Sequence, residues 1–118
     1  VLRDKGDAVK SVNPTDTVQF LARRLHAEKV GAMVVIGDTG ALEGIVSERD
    51  IACGAAAHGP AVLDMPVSAI MTPAVITCAL SDSIYNVAKV MTARRIRHVP
   101  VAQAGDLVGL ISIGDVLN

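Results

Sequence analysis

Aromatic residues are almost missing from this 118-residue chain: Phe20 and Tyr85 stand alone and there is no tryptophan. Acidic and basic residues are interspersed from Arg3 to Asp115, with a formal net charge of −1. A nucleic-acid surface needs a basic face and usually stacking rings, and the chain offers neither, so no nucleic-acid partner is expected. Cysteine is scarce too. Cys53 and Cys78 form no CxxC pattern and no disulfide framework, which points to a reducing cytoplasm. His26 and His58 stand at no metal-ligand spacing from them, and no metal is expected. The longest weakly polar stretch, IACGAAAHGPAVLDMPVSAIM, is broken by His58, Gly59, Pro60, Asp64 and Pro66, whereas a membrane span needs about 20 apolar residues. No membrane helix is expected, and the N-terminus lacks the basic-then-apolar order of a signal peptide. The chain opens on Val1 and stops at DVLN, so a longer native protein is expected. Neither GxGxxG nor GxxxxGK[ST] occurs, and no nucleophile has a histidine at triad-like placement. An enzyme is not expected.

What is abundant is apolar: 51% of the residues, with a mean hydropathy of +0.45. For a chain this short, that proportion implies apolar surface buried against a second copy, and a homodimer is the expectation.

The chain also repeats itself. GIVSERD, residues 44–50, returns as GLISIGD, residues 109–115. An offset of 66 aligns Ser11 with Thr77, Asp16 with Asp82, Val18 with Ile84, Leu21 with Val87, Ala22 with Ala88 and Leu25 with Met91. The offset then drops to 65, aligning Gly40 with Gly105, Gly44 with Gly109, Ser47 with Ser112 and Asp50 with Asp115. Val18, Leu21, Ala22 and Leu25 fall at i, i+3, i+4 and i+7, the spacing that makes one helix face apolar. Ile84, Val87, Ala88 and Met91 repeat it. Thr15 or Asp16, and Ser81 or Asp82, are the expected N-caps. After each helix a β-branched run (MVVI, HVPV), a glycine-bearing turn and a second apolar run predict a hairpin. The expected fold class is therefore α/β (α+β): two βαββα repeats, residues 1–60 and 61–118, packed through their sheets about a pseudo-twofold axis, with HGPAVLDMP as the hinge.

Ser-x-x-Asp at the end of each repeat has two readings. In the first it is a capping box, the serine accepting from the first helical turn and the aspartate reaching back. In the second, a strand running into a helix N-terminus offers free N–H groups to phosphate, and a carboxylate one turn on accepts from the hydroxyls of a ribose. Gly44 and Gly109 would leave room for something flat against the backbone. The apolar residues of MVVI and HVPV would sandwich a base, so few aromatics are needed.

The double unit, with GIVSERD and GLISIGD closing its halves, IMTP opening the second and RRIRHVPV before its hairpin, resembles a tandem pair of cystathionine β-synthase (CBS) domains. The likeness covers nearly the whole chain and is nearest to small bacterial CBS-pair signal-transduction proteins. It implies a regulatory module whose clefts bind adenine nucleotides (AMP, ADP, ATP or NAD(H)), without a catalytic cofactor, and which signals energy or redox state to a partner protein or attached domain. Carried over by position, the second site takes Thr77, Arg97, His98, Val99, Pro100, Ser112 and Asp115. Asp115 would hold the ribose, Ser112 the ribose or phosphate, Thr77 the base or sugar, Val99 would line the adenine slot, and Arg97 and His98 would face phosphate. The first site takes Ser11, Ala32, Met33, Ser47, Arg49 and Asp50. Gly31, Ala32 and Met33 stand there in place of Arg97, His98 and Val99, so Arg49 is its nearest cation and the two sites are expected to be unequal. The alternative is a structural homodimerisation module with no ligand, in which both Ser-x-x-Asp sequences are caps.

Overall fold

The computed structural model describes residues 10–73, 77–79, 81–94, 96–103 and 106–112. The chain divides into two compact units, the first running from Lys10 to Ala74 and the second holding the described residues from Thr77 onward. The first unit follows the order β1 (Ser11–Val12), α1 (Val18–Glu28), β2 (Ala32–Ile36), β3 (Leu42–Ser47) and α2 (Glu48–His58), then two 3₁₀ helices over Gly59–Asp64 and Val67–Ala69, and β4 (Thr72–Pro73). In the second come β5 (Cys78–Ala79), α3 (Ile84–Arg94), β6 (His98–Gln103) and β7 (Asp106–Ser112). The first unit is βαββα with an added edge strand. The helix expected after Ser112 lies outside the described residues.

The repeat is visible in the pairing register. In the first sheet, ordered β1-β2-β3-β4, β1 runs parallel to β2, and β2 and β3 form an antiparallel hairpin with Ala32 opposite Ser47 and Val35 opposite Gly44. In the second sheet, ordered β5-β6-β7, His98 stands opposite Ser112 and Val101 opposite Gly109. Both hairpins slip register at the same place, between Val35 and Ile36 and between Val101 and Ala102. One extra residue is thus accommodated on β3 and on β7 beside the glycine, the bulge that sharpens strand twist.

α1 and α3 are set by the same local code. A turn precedes it, closed in the first unit by Asn13 N–H donating to Asp16 Oδ2 at 3.0 Å and in the second by Ala79 N–H donating to Asp82 Oδ2 at 2.7 Å. That occupies the aspartates, so the caps are not Thr15 or Asp16, nor Ser81 or Asp82. The caps lie further on, where Thr17 Oγ1 accepts from Phe20 N–H at 3.1 Å and Ser83 Oγ from Asn86 N–H at 3.1 Å. Both helices close alike: Val30 N–H donates to Leu25 O at 3.2 Å, and Ile96 N–H to Met91 O at 2.9 Å. In the first unit the left-handed residue this closure needs is Lys29, φ 56°.

Each unit has its own core. Val12, Leu21, Leu25, Met33, Val35, Val46 and Val67 pack together in the first, and Cys78, Val87, Met91, Val99, Val101 and Ile111 in the second. The stretch expected to be a hinge is built into the first unit. Val67 N–H donates to Asp16 O and Val18 N–H to Met65 O, and Val62 and Val67 are buried. A β-carbon on Gly54 would lie 2.8 Å from Val62 Cγ2, so the absent side chain is what lets this segment close on α2.

Gly44 has a similar role, and its neighbour is the chain itself. A β-carbon there would lie 2.7 Å from the Thr72 carbonyl oxygen and 2.9 Å from Met71 Sδ, because β4 pairs against β3 at this point. The space expected to admit a flat ligand at Gly44 is taken by β4. Gly44→Ala should therefore force β4 off its partner and destabilise the unit by about 1–3 kcal/mol. Urea unfolding would show this as a lower midpoint at similar slope.

Candidate functional site

Side chains alternate across a strand, so register decides which predicted residues can meet. In the second unit Val99 and Val101 on β6, with Ile111 opposite Val99, turn into the core with Val87 and Met91 of α3. His98 and Pro100, with their partners Ser112 and Leu110, fall on the other face. The residues predicted for the second site are thereby divided. His98, Pro100 and Ser112 come together, Arg97 is exposed just ahead of β6, and Val99, 2% exposed, is on the opposite side of the sheet. Thr77 sits just before β5 and, with Val99, helps to wall a cavity beside α3 of about 180 Å³. Asp115 lies outside the described residues.

The first unit divides the same way. Ser11 pairs with Val34, and Ala32 with Ser47, which puts Ser11, Ala32 and Ser47 on one face. Met33 lies in the core with no exposed surface, packed on the α1 side. Arg49 is exposed on the first turn of α2. Asp50 is one turn beyond Ser47 and folds back on it.

That fold-back is a complete capping box. Asp50 N–H donates to Ser47 Oγ at 3.3 Å, while Ser47 N–H and Oγ–H donate to Asp50 Oδ2 at 2.9 and 3.2 Å. The local reading of Ser-x-x-Asp is therefore realised in the first repeat, at the end of a strand on the same face as Ser11 and Ala32. The same serine and carboxylate stand at a helix N-terminus, where the macrodipole favours an anion.

Sequence reasoning missed the group that holds β1. Arg24 of α1 donates from Nη1 to the Ser11 carbonyl, and its Nε and Nη2 both reach Glu28 Oε2 at 2.9 Å. Lys10 Nζ approaches Glu28 Oε1 at 3.2 Å. The signal was the i, i+4 spacing of Arg24 and Glu28 on one helix. Desolvation alone would raise the Glu28 carboxyl, but hydrogen bonds and charge from Lys10 and Arg24 outweigh it and hold the group below its ordinary value. Burial, with Asp82 close by, pushes the Cys78 thiol up, so that thiol is neutral at neutral pH. Among the described residues no cluster of His, Cys, Asp and Glu could hold a metal ion, and no helix is long and apolar enough to cross a membrane.

Two units with one register, each closing on a strand that carries serine, define a paired-repeat module. The sequence pattern of the CBS domain matches twice, over residues 6–53 and 67–118, and the chain belongs to the CBS-domain family. It is 31% identical over 108 residues to the CBS domain-containing protein YhcV of Bacillus subtilis, covering 92% of this chain and 76% of that one. It spans about half the length of two further curated relatives. The crystal structure of the CBS-domain protein ATU1752 from Agrobacterium tumefaciens matches with a TM-score of 0.87 at 41% identity, over 93% of this chain and 82% of that one. PAE2072 from Pyrobaculum aerophilum, a CBS domain protein crystallised with AMP, matches with a TM-score of 0.81 at 32% identity, over 92% and 83%.

Two outcomes follow from this geometry. Ser47→Ala should cost about 1 kcal/mol of stability. Asp50→Ala should cost a similar amount, and the double variant less than the sum, because the two side chains share their bonds; chemical denaturation of the four proteins measures that coupling. The depressed Glu28 carboxyl adds stability above its unfolded pKa that is lost as pH falls through its folded one. Wild type should exceed Glu28→Gln in urea midpoint near neutral pH, and the gap should close in acid.

Proposed function

We propose that this chain is a regulatory module that binds an adenine nucleotide, AMP, ADP, ATP or NAD(H), and passes its occupancy to a partner protein or attached domain. The observation that carries the reading is the strand-to-helix junction at Ser47, where a hydroxyl, a carboxylate one turn on and a helix N-terminus meet on the face that also holds Ser11 and Ala32. In the second repeat His98 and Ser112 stand opposite each other on the corresponding face, and the sequence continues to Asp115. The AMP bound by PAE2072, a relative of the same fold, supports the choice of ligand.

In this reading the serine-bearing face of each repeat is one nucleotide site. Asp115 and Asp50 hold ribose, Ser112 and Ser47 hold ribose or phosphate, and Arg97 and His98 face phosphate. Thr77, Pro100 and Val99 of the second repeat, and Ser11, Ala32 and Met33 of the first, line the base slots. Met33 and Val99 reach the slot only through their backbone, because their side chains are buried in the cores. With Arg49 as its nearest cation, the first site prefers the less phosphorylated ligand. The module is a cytoplasmic homodimer without catalytic activity of its own. Ligand acts by binding one arrangement of the halves better than another, which shifts the population a partner meets.

A thermal-shift panel with AMP, ADP, ATP and NAD tests this. A nucleotide at 100 times its Kd adds about 2.7 kcal/mol, which raises the Tm of a chain this size by several degrees. The shift should disappear in Asp115→Ala for ATP and persist in part for AMP. No shift with any nucleotide would leave the chain a structural dimerisation module.

A further inference from the structure

The cavity of the second unit lies on the α3 side of its sheet, walled by Val87, Val90, Val99 and Cys78, with Thr77, Asp82 and Asn86 adding polar groups. His98 and Ser112 project from the other side of that sheet. The cavity therefore lies on the side of the sheet away from His98 and Ser112, although Thr77 and Val99, assigned above to the base slot, also contribute to its lining.

Comparison of the repeats shows what leaves it open. At the equivalent positions, 66 residues earlier, the first unit carries Phe20 for Asn86, Leu21 for Val87, Arg24 for Val90 and Met33 for Val99. Every one of these is the larger residue. Leu21 and Met33 are fully buried, and the Arg24 guanidinium bridges from helix to the Ser11 carbonyl of the edge strand. Val90 is too short to make that bridge. Leu21, Arg24 and Met33 thus stand in the first unit where the second carries the smaller valines that line its cavity.

We propose that this hollow is a binding site for a small neutral ring compound, largely apolar and carrying one hydrogen-bond donor. At about 180 Å³, it is close to the roughly 150 Å³ apolar cavity that admits benzene, and it opens to solvent past Asn86 and Val90. The valines and Cys78 make its wall apolar, and burial keeps that thiol neutral. Asn86 and Thr77 supply acceptors for a ring N–H or O–H. The Asp82 carboxylate, already bonded to Ala79 N–H, disfavours an anion.

Indole is the probe. In a Cys53→Ser background, where Cys78 is the one remaining thiol, saturation-transfer NMR should detect indole binding, and indole should slow alkylation of Cys78. Asn86→Phe and Val90→Arg, each importing the residue that the first unit already carries, should each weaken indole roughly tenfold or more and leave the AMP thermal shift in place. Val90 is partly exposed, so its variant keeps the test open should Asn86→Phe fold poorly. Indole that neither binds nor protects Cys78 would overturn the proposal. So would equal binding in both variants, or competitive displacement of indole by AMP, which would make the hollow part of the nucleotide site.

Discussion

The register of the two hairpins governs which residues of this chain can act together. A strand has only two faces, and one residue of slip exchanges them. With Ala32 held opposite Ser47 and His98 opposite Ser112, the residues with hydroxyl or imidazole groups are committed to one face, and Met33, Val99 and Ile111 to the other, where the helices cover them. The bulges beside Gly44 and Gly109 come after that pairing is established. They bend the far end of each hairpin and leave the site end in regular alternation. Core and candidate site are thus two sides of one pairing pattern.

That division limits the chemistry available. A ligand on the serine face meets hydroxyls, backbone and a helix N-terminus, without aromatic stacking. Recognition there rests on hydrogen bonds, which contribute most when donor or acceptor is charged, on the order of 1.5–3 kcal/mol each. The capping box sets what a ligand must displace. In the first repeat Asp50 Oδ2 already accepts two hydrogen bonds from Ser47, so a ribose drawing on that oxygen competes with helix stability. Under the proposed function cap and ligand would use the same atoms, so occupancy of the site would be coupled directly to the order of the α2 N-terminus.

Much of this was legible in the sequence. The 66-residue offset, falling to 65 across the hairpin turn, matches the observed register from Ser11 through Ser112, and the helical spacing of Val18, Leu21 and Leu25 located the buried face of α1. The errors have physical causes. Thr15, Asp16, Ser81 and Asp82 all suit an N-cap, and propensity alone does not distinguish the cap from the turn before it. Only the fold shows that the aspartates close that turn and leave Thr17 and Ser83 to cap. HGPAVLDMP has the composition of a linker, yet its Val62, with Val67 just beyond it, is buried where two short 3₁₀ helices cover the first core. Gly44 was read as space for a ligand because the pairing of β4 across it is long-range. Alternation along β6 turns the Val99 side chain into the core, so beside His98 it can offer only its backbone.

The two units also differ in how firmly helix and edge strand are joined. In the first, Arg24 ties α1 to the Ser11 carbonyl, and Glu28, held ionised by Arg24 and Lys10, keeps the guanidinium in place. Exposed ion pairs contribute little singly, but this one is anchored to a backbone carbonyl and so locks a position rather than adding a loose contact. Val90 takes the place of Arg24 in the second unit, and the helix lies beside β5 over a hollow. Duplicated repeats with one pairing register have therefore diverged where helix meets edge strand: the first carries Leu21, Arg24 and Met33 where the second carries Val87, Val90 and Val99. A ligand that fills such space stabilises the state in which it exists, so under the proposal above occupancy of the hollow would tighten the packing of α3 on its sheet.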